Sequence, residues 1–174
     1  VSLPEDRSRC AVGQLFFDKD EEMRLKMKAL IEEAFMSGGF QILGYRLLPV
    51  DRAVLGEAAA KTEPWVEQIF LYHPDMTPEQ IETELYVIRK KVEHQVLNSQ
   101  AYFCSLSTKS IVYKGMLRSS RLADYYLDLK DERYKIQWGV WHRRFSTNTA
   151  PKWPLAQPFR YVGHNGEINT IQGN

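Results

Sequence analysis

The sequence predicts an α+β fold. Short apolar runs bounded by glycine, proline and polar turn residues recur along the first two thirds of the chain, the pattern of half-buried or buried strands. Two longer stretches carry apolar residues at helical spacing, each with a capping signal in front. Strands and helices succeed one another as strand–helix–strand, twice.

Taken in order, residues 11–17 are apolar and form the first expected strand. Asp18 or Asp20 can cap the next segment, since a short carboxylate accepts from the open N–H groups of a first helical turn. Over residues 21–36, Met23, Met27, Leu30, Ile31, Ala34 and Phe35 share one helical face, and Gly38-Gly39 supplies the stop. Residues 40–48 read as the second strand, ended by Pro49; in residues 51–61 the alanines favour helix and Gly56 opposes it. Residues 65–72 are the third strand, between Pro64 and Pro74. Thr77-Pro78-Glu79-Gln80 is a helix start, with a capping Thr, Pro in the first turn and Gln three residues on. Ile81, Leu85, Ile88, Val92 and Val96 make its apolar stripe, and Arg89, Lys90 and Lys91 its solvated side. Residues 101–107 are a fourth strand and 110–113 a fifth.

This order matches the split βαβ arrangement of ferredoxin-like folds, expected over residues 11–107 as a scaffold subdomain. Residues 108–174 make a second region. There 137–142 reads as a strand delivering Arg144 to its end, and 161–164 as a strand turning at Asn165-Gly166. Tyr125-Tyr126 ends a short helix packed on the sheet. Pro151, Pro154 and Pro158 exclude a helix and leave an extended loop. Trp138, Trp141, Trp153 and Phe159 are expected in core or loop packing, and Lys152 in solvent.

With 174 residues, a formal net charge of +1 and 44% hydrophobic residues, the composition fits about one domain with a core and gives no pull toward nucleic acid or membrane. The chain opens with no charged-then-apolar leader, so no signal peptide is visible. Cys10 and Cys104 form no close pair; this gives no disulfide framework, suits a reducing compartment and, without His or Cys at ligand spacing, offers no metal site.

The chemistry gathers late. His142-Arg143-Arg144-Phe145-Ser146-Thr147-Asn148-Thr149 is succeeded by His164-Asn165-Gly166-Glu167-Ile168-Asn169. Splitting a side-chain amide needs a nucleophile, a holder for the substrate carboxylate and donors for the oxyanion. A guanidinium grips a carboxylate through two parallel charged bonds. An Asn amide with a Gly N–H suits an oxyanion, because Gly allows close backbone approach. Each motif alone has a plainer reading: an arginine as a surface fork, Asn-Gly as a turn, a histidine as a satisfied imidazole.

Together, residues 140–174 closely resemble the glutamine amidotransferase domain of glutamate synthases, with its HxRFSTNT, WPLAQPFR and HNGEINT segments. The upstream segments AYFCSLS from Ala101, IVYKGM from Ile111 and YYLDL from Tyr125 are similar to that family as well. More distant likenesses lie at VLGE from Val54 and EQIF from Glu67. The Lys-Gly-Met and His-Arg-Arg details resemble the ferredoxin-dependent branch.

The resemblance implies a partial αββα sandwich of the N-terminal-nucleophile hydrolases, into which the ferredoxin-like subdomain is inserted. It implies that Arg144 holds the α-carboxylate of L-glutamine, that Asn165 and Gly166 form the oxyanion hole, and that His142 and Phe145 shape the pocket. The family nucleophile is a cysteine at the mature N-terminus, with its own α-amine as base. This chain opens on Val1, so the expectation is that it lacks that nucleophile and is inactive by itself. Cys10 stands just before the buried strand of residues 11–17 and Cys104 is read as core, neither as the nucleophile. The complete enzyme of the family would hydrolyse glutamine and use the ammonia to aminate 2-oxoglutarate reductively, with FMN and an iron–sulfur cluster outside this segment. Ferredoxin or an NAD(P)H-oxidising subunit would donate electrons, and the remainder of the synthase chain would be a partner, in cytoplasm or plastid stroma. Two other readings are a non-catalytic ferredoxin-like ligand-binding or regulatory module with a degenerate amidotransferase tail, and an amidotransferase serving another acceptor such as a sugar phosphate; the WPLAQP detail argues against the second.

Overall fold

The structure, a computed structural model, describes residues 1–97, 100–145 and 150–159. It divides into two compact units: Val1–Leu47 with Pro64–Ile111, and Leu48–Glu63 with Val112–Asn174.

The first unit is built on strands β1 (Cys10–Phe17), β2 (Gln41–Leu47), β3 (Trp65–Tyr72) and β4 (Ala101–Ser107), with helices α1 (Glu21–Ser37) and α3 (Pro78–Glu93). The sheet order is β2-β3-β1-β4, and every pairing is antiparallel. Period-two alternation sends Ala11, Leu15 and Phe17 of β1, with Ile69 and Leu71 of β3, to one face. There they meet Met27, Ile31 and Phe35 of α1 and Ile81, Leu85, Ile88 and Val92 of α3 in one core. Burying each such side chain contributes about 1.5–3 kcal/mol before entropy is charged against it. Polar side chains are buried on the sheet as well, among them Gln14 and Gln68: Gln68 donates to Gln14 (3.3 Å) and accepts from Arg46 (3.1 Å).

The helix ends are set by local chemistry. Asp20 caps α1 by accepting from the Met23 N–H at 2.8 Å. At the other end Gly39 takes φ +83°, the Phe40 N–H reaches Phe35 O and the Gly39 N–H reaches Met36 O. Those two bonds with the Phe35–Phe40 ring contact at 5.6 Å make a Schellman stop. Thr77 and Gln80 close a reciprocal capping box on α3.

Among its described residues the second unit has short helices and turns and no paired strand ladder. The ambiguous stretch after β2 resolves into a 3-10 turn, Arg52–Val54, and a short helix, α2 (Glu57–Lys61), with Gly56 as its N-cap. A further helix, α4 (Leu122–Tyr125), ends at the two tyrosines, and loop residues of this unit, Glu63 and Trp153, hold Tyr125.

Two expected strands are absent. Residues 110–113 and 137–142 have no ladder, because an apolar run becomes a strand only where a second backbone pairs with it. Trp138 and Trp141, expected in packing, are 62% and 82% exposed. Trp153 is buried and Lys152 is exposed. The strand expected over 161–164 lies outside the described residues.

Candidate functional site

The sequence from Val112 to Tyr126 places a lysine next to a glycine, and the second unit is assembled around that pair. The Lys114 side chain is buried. Its ammonium donates to the Pro154 carbonyl at 2.8 Å and stands 4.8 Å from the centre of the Phe159 ring, a cation–π distance. The Lys114 carbonyl accepts from the Tyr126 hydroxyl at 2.8 Å. At Gly115 a Cβ would come within 2.4 Å of the Trp153 ring, so only glycine admits the indole so close. The indole N–H in turn donates to Ala59 O at 3.1 Å.

Beneath this, Tyr125 lies 5.5 Å from Trp153 between ring centres and donates its hydroxyl to Glu63 at 2.7 Å. Arg52 pairs with the other Glu63 oxygen at 3.1 Å. Burial, and then the Glu63 carboxylate, hold the Tyr125 phenol far above its ordinary range. This carboxylate is therefore a structural acceptor, kept buried by one hydroxyl and one guanidinium.

An open-sided cavity of about 400 Å³ sits in this unit, with Lys114, Arg118, Trp141, His142, Arg143 and Gln157 among its walls. Of the residues singled out in the sequence, His142 is half-buried and on that wall. Its Nδ1 accepts the Arg144 backbone N–H at 3.3 Å. Arg144 is exposed and Phe145 half-buried, and neither is among the lining residues. Arg143 does line the cavity and donates from Nε to the Ser119 hydroxyl at 3.3 Å. The cavity thus gathers the Arg118 and Arg143 side chains and an imidazole, while the Lys114 ammonium is engaged by Pro154 O and the Phe159 ring; two guanidinium groups favour a small anionic group such as a carboxylate. Asn165 and Gly166 lie outside the described residues.

Cys10 begins β1 and is half-buried. Burial, with a smaller push from Asp6, raises its thiol above the ordinary value, which depletes the thiolate a nucleophile needs. Cys104 is buried inside β4. Among the described residues no group of three or more His, Cys, Asp or Glu could hold a metal ion, so they do not fit an iron–sulfur cluster. No helix among them is long and apolar enough to cross a membrane.

Sequence reasoning missed the buried Lys114 and Glu63, and it placed Tyr125 at a helix end without finding its bond to Glu63. The one available signal was the Lys114-Gly115 pair beside aromatic residues; an isolated lysine is otherwise assigned to solvent.

Comparison with known proteins gives these side chains a family. The model of class-II glutamine amidotransferases matches residues 1–174. The chain is similar to the chloroplastic ferredoxin-dependent glutamate synthase of Oryza sativa subsp. japonica, 47% identical over 176 residues, covering 98% of this chain and 11% of that one. It is 46% identical to the ferredoxin-dependent glutamate synthase 1 of Arabidopsis thaliana, over 98% of this chain and 11% of that one. The large chain of the NADPH glutamate synthase of Azospirillum brasilense is 41% identical over 96% of this chain and 11% of its own. The chain therefore spans about a tenth of the length of these curated relatives. With the family model matching it from end to end, the chain belongs to the class-II glutamine amidotransferases, within the N-terminal-nucleophile hydrolases.

Proposed function

We propose that this chain is the glutamine-handling region of a glutamate synthase of the ferredoxin-dependent kind. The complete enzyme would hydrolyse L-glutamine to glutamate and ammonia, and consume the ammonia in the reductive amination of 2-oxoglutarate. The observation that carries this is the amidotransferase match over residues 1–174, joined to near-complete coverage of this chain by the synthase relatives. A regulatory module with a degenerate tail does not agree with a family match that runs through the tail.

In this reading Arg144 grips the α-carboxylate of glutamine with two parallel hydrogen bonds. His142 orders the Arg144 backbone through the 3.3 Å bond to its N–H, and Phe145 closes the pocket beside it. A cysteine thiolate, with an α-amine as base, attacks the side-chain amide carbon. Asn165 and Gly166 receive the oxyanion, the C–N bond breaks, ammonia leaves with the proton, and water then frees glutamate from the thioester.

Residues 11–107 are proposed as an inserted ferredoxin-like scaffold, supported by the β2-β3-β1-β4 order and the two helices on one face. Residues 108–174, joined by the excursion 48–63, are proposed as part of the αββα core. FMN and an iron–sulfur cluster belong to the complete enzyme, outside the described residues. The electron donor is ferredoxin, or NADPH as the name of the bacterial relative has it. The remainder of the synthase chain is a partner, and the compartment is plastid stroma or cytoplasm.

The test is Arg144→Lys in the complete synthase. Glutamine-dependent glutamate formation should drop roughly tenfold or more, because a point ammonium cannot replace a planar fork, while the reaction supplied with ammonia continues. An unchanged KM and kcat for glutamine would remove Arg144 from the site.

A further inference from the structure

Lys114 has no part in the proposed amide chemistry, yet it is a buried cation at the centre of the second unit. We propose that it is a positioning residue for the glutamine site, holding the loop 152–159 that joins the Arg144 segment to the Asn165-Gly166 turn. The inference rests on the proposed glutamine-handling function.

The loop is poor in means to hold itself. Pro151, Pro154 and Pro158 carry no N–H, so the segment cannot be fixed through a run of its own backbone donors. Its regular structure is the single 3-10 turn Trp153–Leu155. Beside the Trp153 indole, which donates to Ala59 O, Lys114 supplies a donor from 40 residues upstream, with its bond to Pro154 O at 2.8 Å. The same ammonium faces the Phe159 ring at 4.8 Å. One cation therefore fixes the middle of the loop and its far end. Its own backbone is fixed by the Tyr126 hydroxyl, and Gly115 receives the Trp153 ring.

Lysine fits this duty because its compact ammonium presents three rotatable donors on an apolar stem that can itself be buried. Arg144 stands shortly before this loop and Asn165 shortly after it. The loop therefore lies between the two proposed site segments in sequence, and a displacement of about 1 Å at a reacting group can cost roughly a hundredfold in rate.

The experiment is Lys114→Met in the complete synthase, which keeps the stem and deletes donor and charge. Glutamine-dependent and ammonia-dependent glutamate formation are measured in parallel with the thermal midpoint. The expected result is a rise in KM for glutamine of roughly tenfold or more, with the ammonia-dependent rate within about twofold of the parent. Phe159→Leu, at a half-buried position, provides a second variant should Lys114→Met fail to fold; it should raise the same KM by a smaller factor. Unchanged glutamine kinetics in a folded Lys114→Met enzyme, or unchanged kinetics in Phe159→Leu, would overturn the proposal. So would an equal fall of both reactions, which marks a purely structural lysine. Arg144→Lys run alongside separates the two ideas. If it spoils glutamine use and Lys114→Met does not, the positioning role fails alone; if Arg144→Lys also has no effect, the functional reading falls and this inference with it.

Discussion

Tyr125 couples this protein to alkaline pH. Its phenol is raised above the ordinary value, first by burial and then by the hydrogen bond to Glu63 and that carboxylate's charge. A group whose folded value lies above its unfolded one contributes stability that is complete below the unfolded value, about 10 for tyrosine, and that is lost as pH rises through the folded value. A phenolate absorbance titration should therefore show Tyr125, and Tyr45 which is raised the same way, ionising only as the fold is lost. Tyrosines that all ionise in one step near the ordinary value, with the fold intact, would contradict this. At neutral pH, Tyr125→Phe removes a donor from a buried carboxylate and should cost about 1–3 kcal/mol in denaturant unfolding; Arg52 still holds the other oxygen. Gly115→Ala should be at least as damaging, since the new methyl would lie 2.4 Å from a ring that is itself tied to Ala59. A loss of about 1–3 kcal/mol is the expected overpacking cost, and an unchanged thermal midpoint would show that Trp153 can move aside. The helix end at Tyr125 and the packing of Trp153 were legible in the sequence, but their partners were not, for one physical reason. Glu63 meets Tyr125 across 62 residues and Ala59 meets Trp153 across 94, and nothing local announces such contacts.

The elements divide along the same line. Helix α1 was legible to within a residue at each end and α3 at its start, because their caps and stripes are local, although the α3 stripe was read on to Val96, past its end at Glu93. Asp20, the Gly38-Gly39 stop and the Thr77 capping box all act within a few residues of themselves. Thr77→Ala should cost about 1 kcal/mol. Gly39→Ala should cost roughly 1–2 kcal/mol, because φ is +83° and a Cβ there lies 2.9 Å from His73 Nε2. Thermal or denaturant midpoints check both, and neutral outcomes would mean the caps contribute nothing to α3 and α1. Strands behave otherwise. The four paired strands were legible from apolar runs between turn residues, but the same signal at 110–113 and 137–142 produced none, because no backbone among the described residues pairs with them. The site inherits this division: His142 lies on the cavity wall, whereas the strand meant to deliver Arg144 is absent and Asn165 and Gly166 lie beyond the described residues.

At the scale of the whole chain, a four-stranded antiparallel sheet with two helices forms one unit, and the residues proposed for chemistry fall in the other. The excursion 48–63 belongs to the second unit although the sequence threads it between two strands of the first. Its ambiguity in sequence has a similar origin: besides the nearby Arg52 and Thr62, Glu63 and Ala59 are held by Tyr125 and Trp153 from far along the chain. The proposed function of this region is to prepare ammonia from glutamine for a reaction carried out elsewhere in a larger enzyme. The most direct measurement is glutamate formation by the complete synthase carrying Asn165→Ala, assayed once with glutamine and once with ammonia. Loss of an oxyanion donor should lower the glutamine-dependent kcat by roughly a hundredfold to a thousandfold and leave the ammonia-dependent rate as it was. An unchanged glutamine-dependent rate, or an equal fall in both, would contradict the claim.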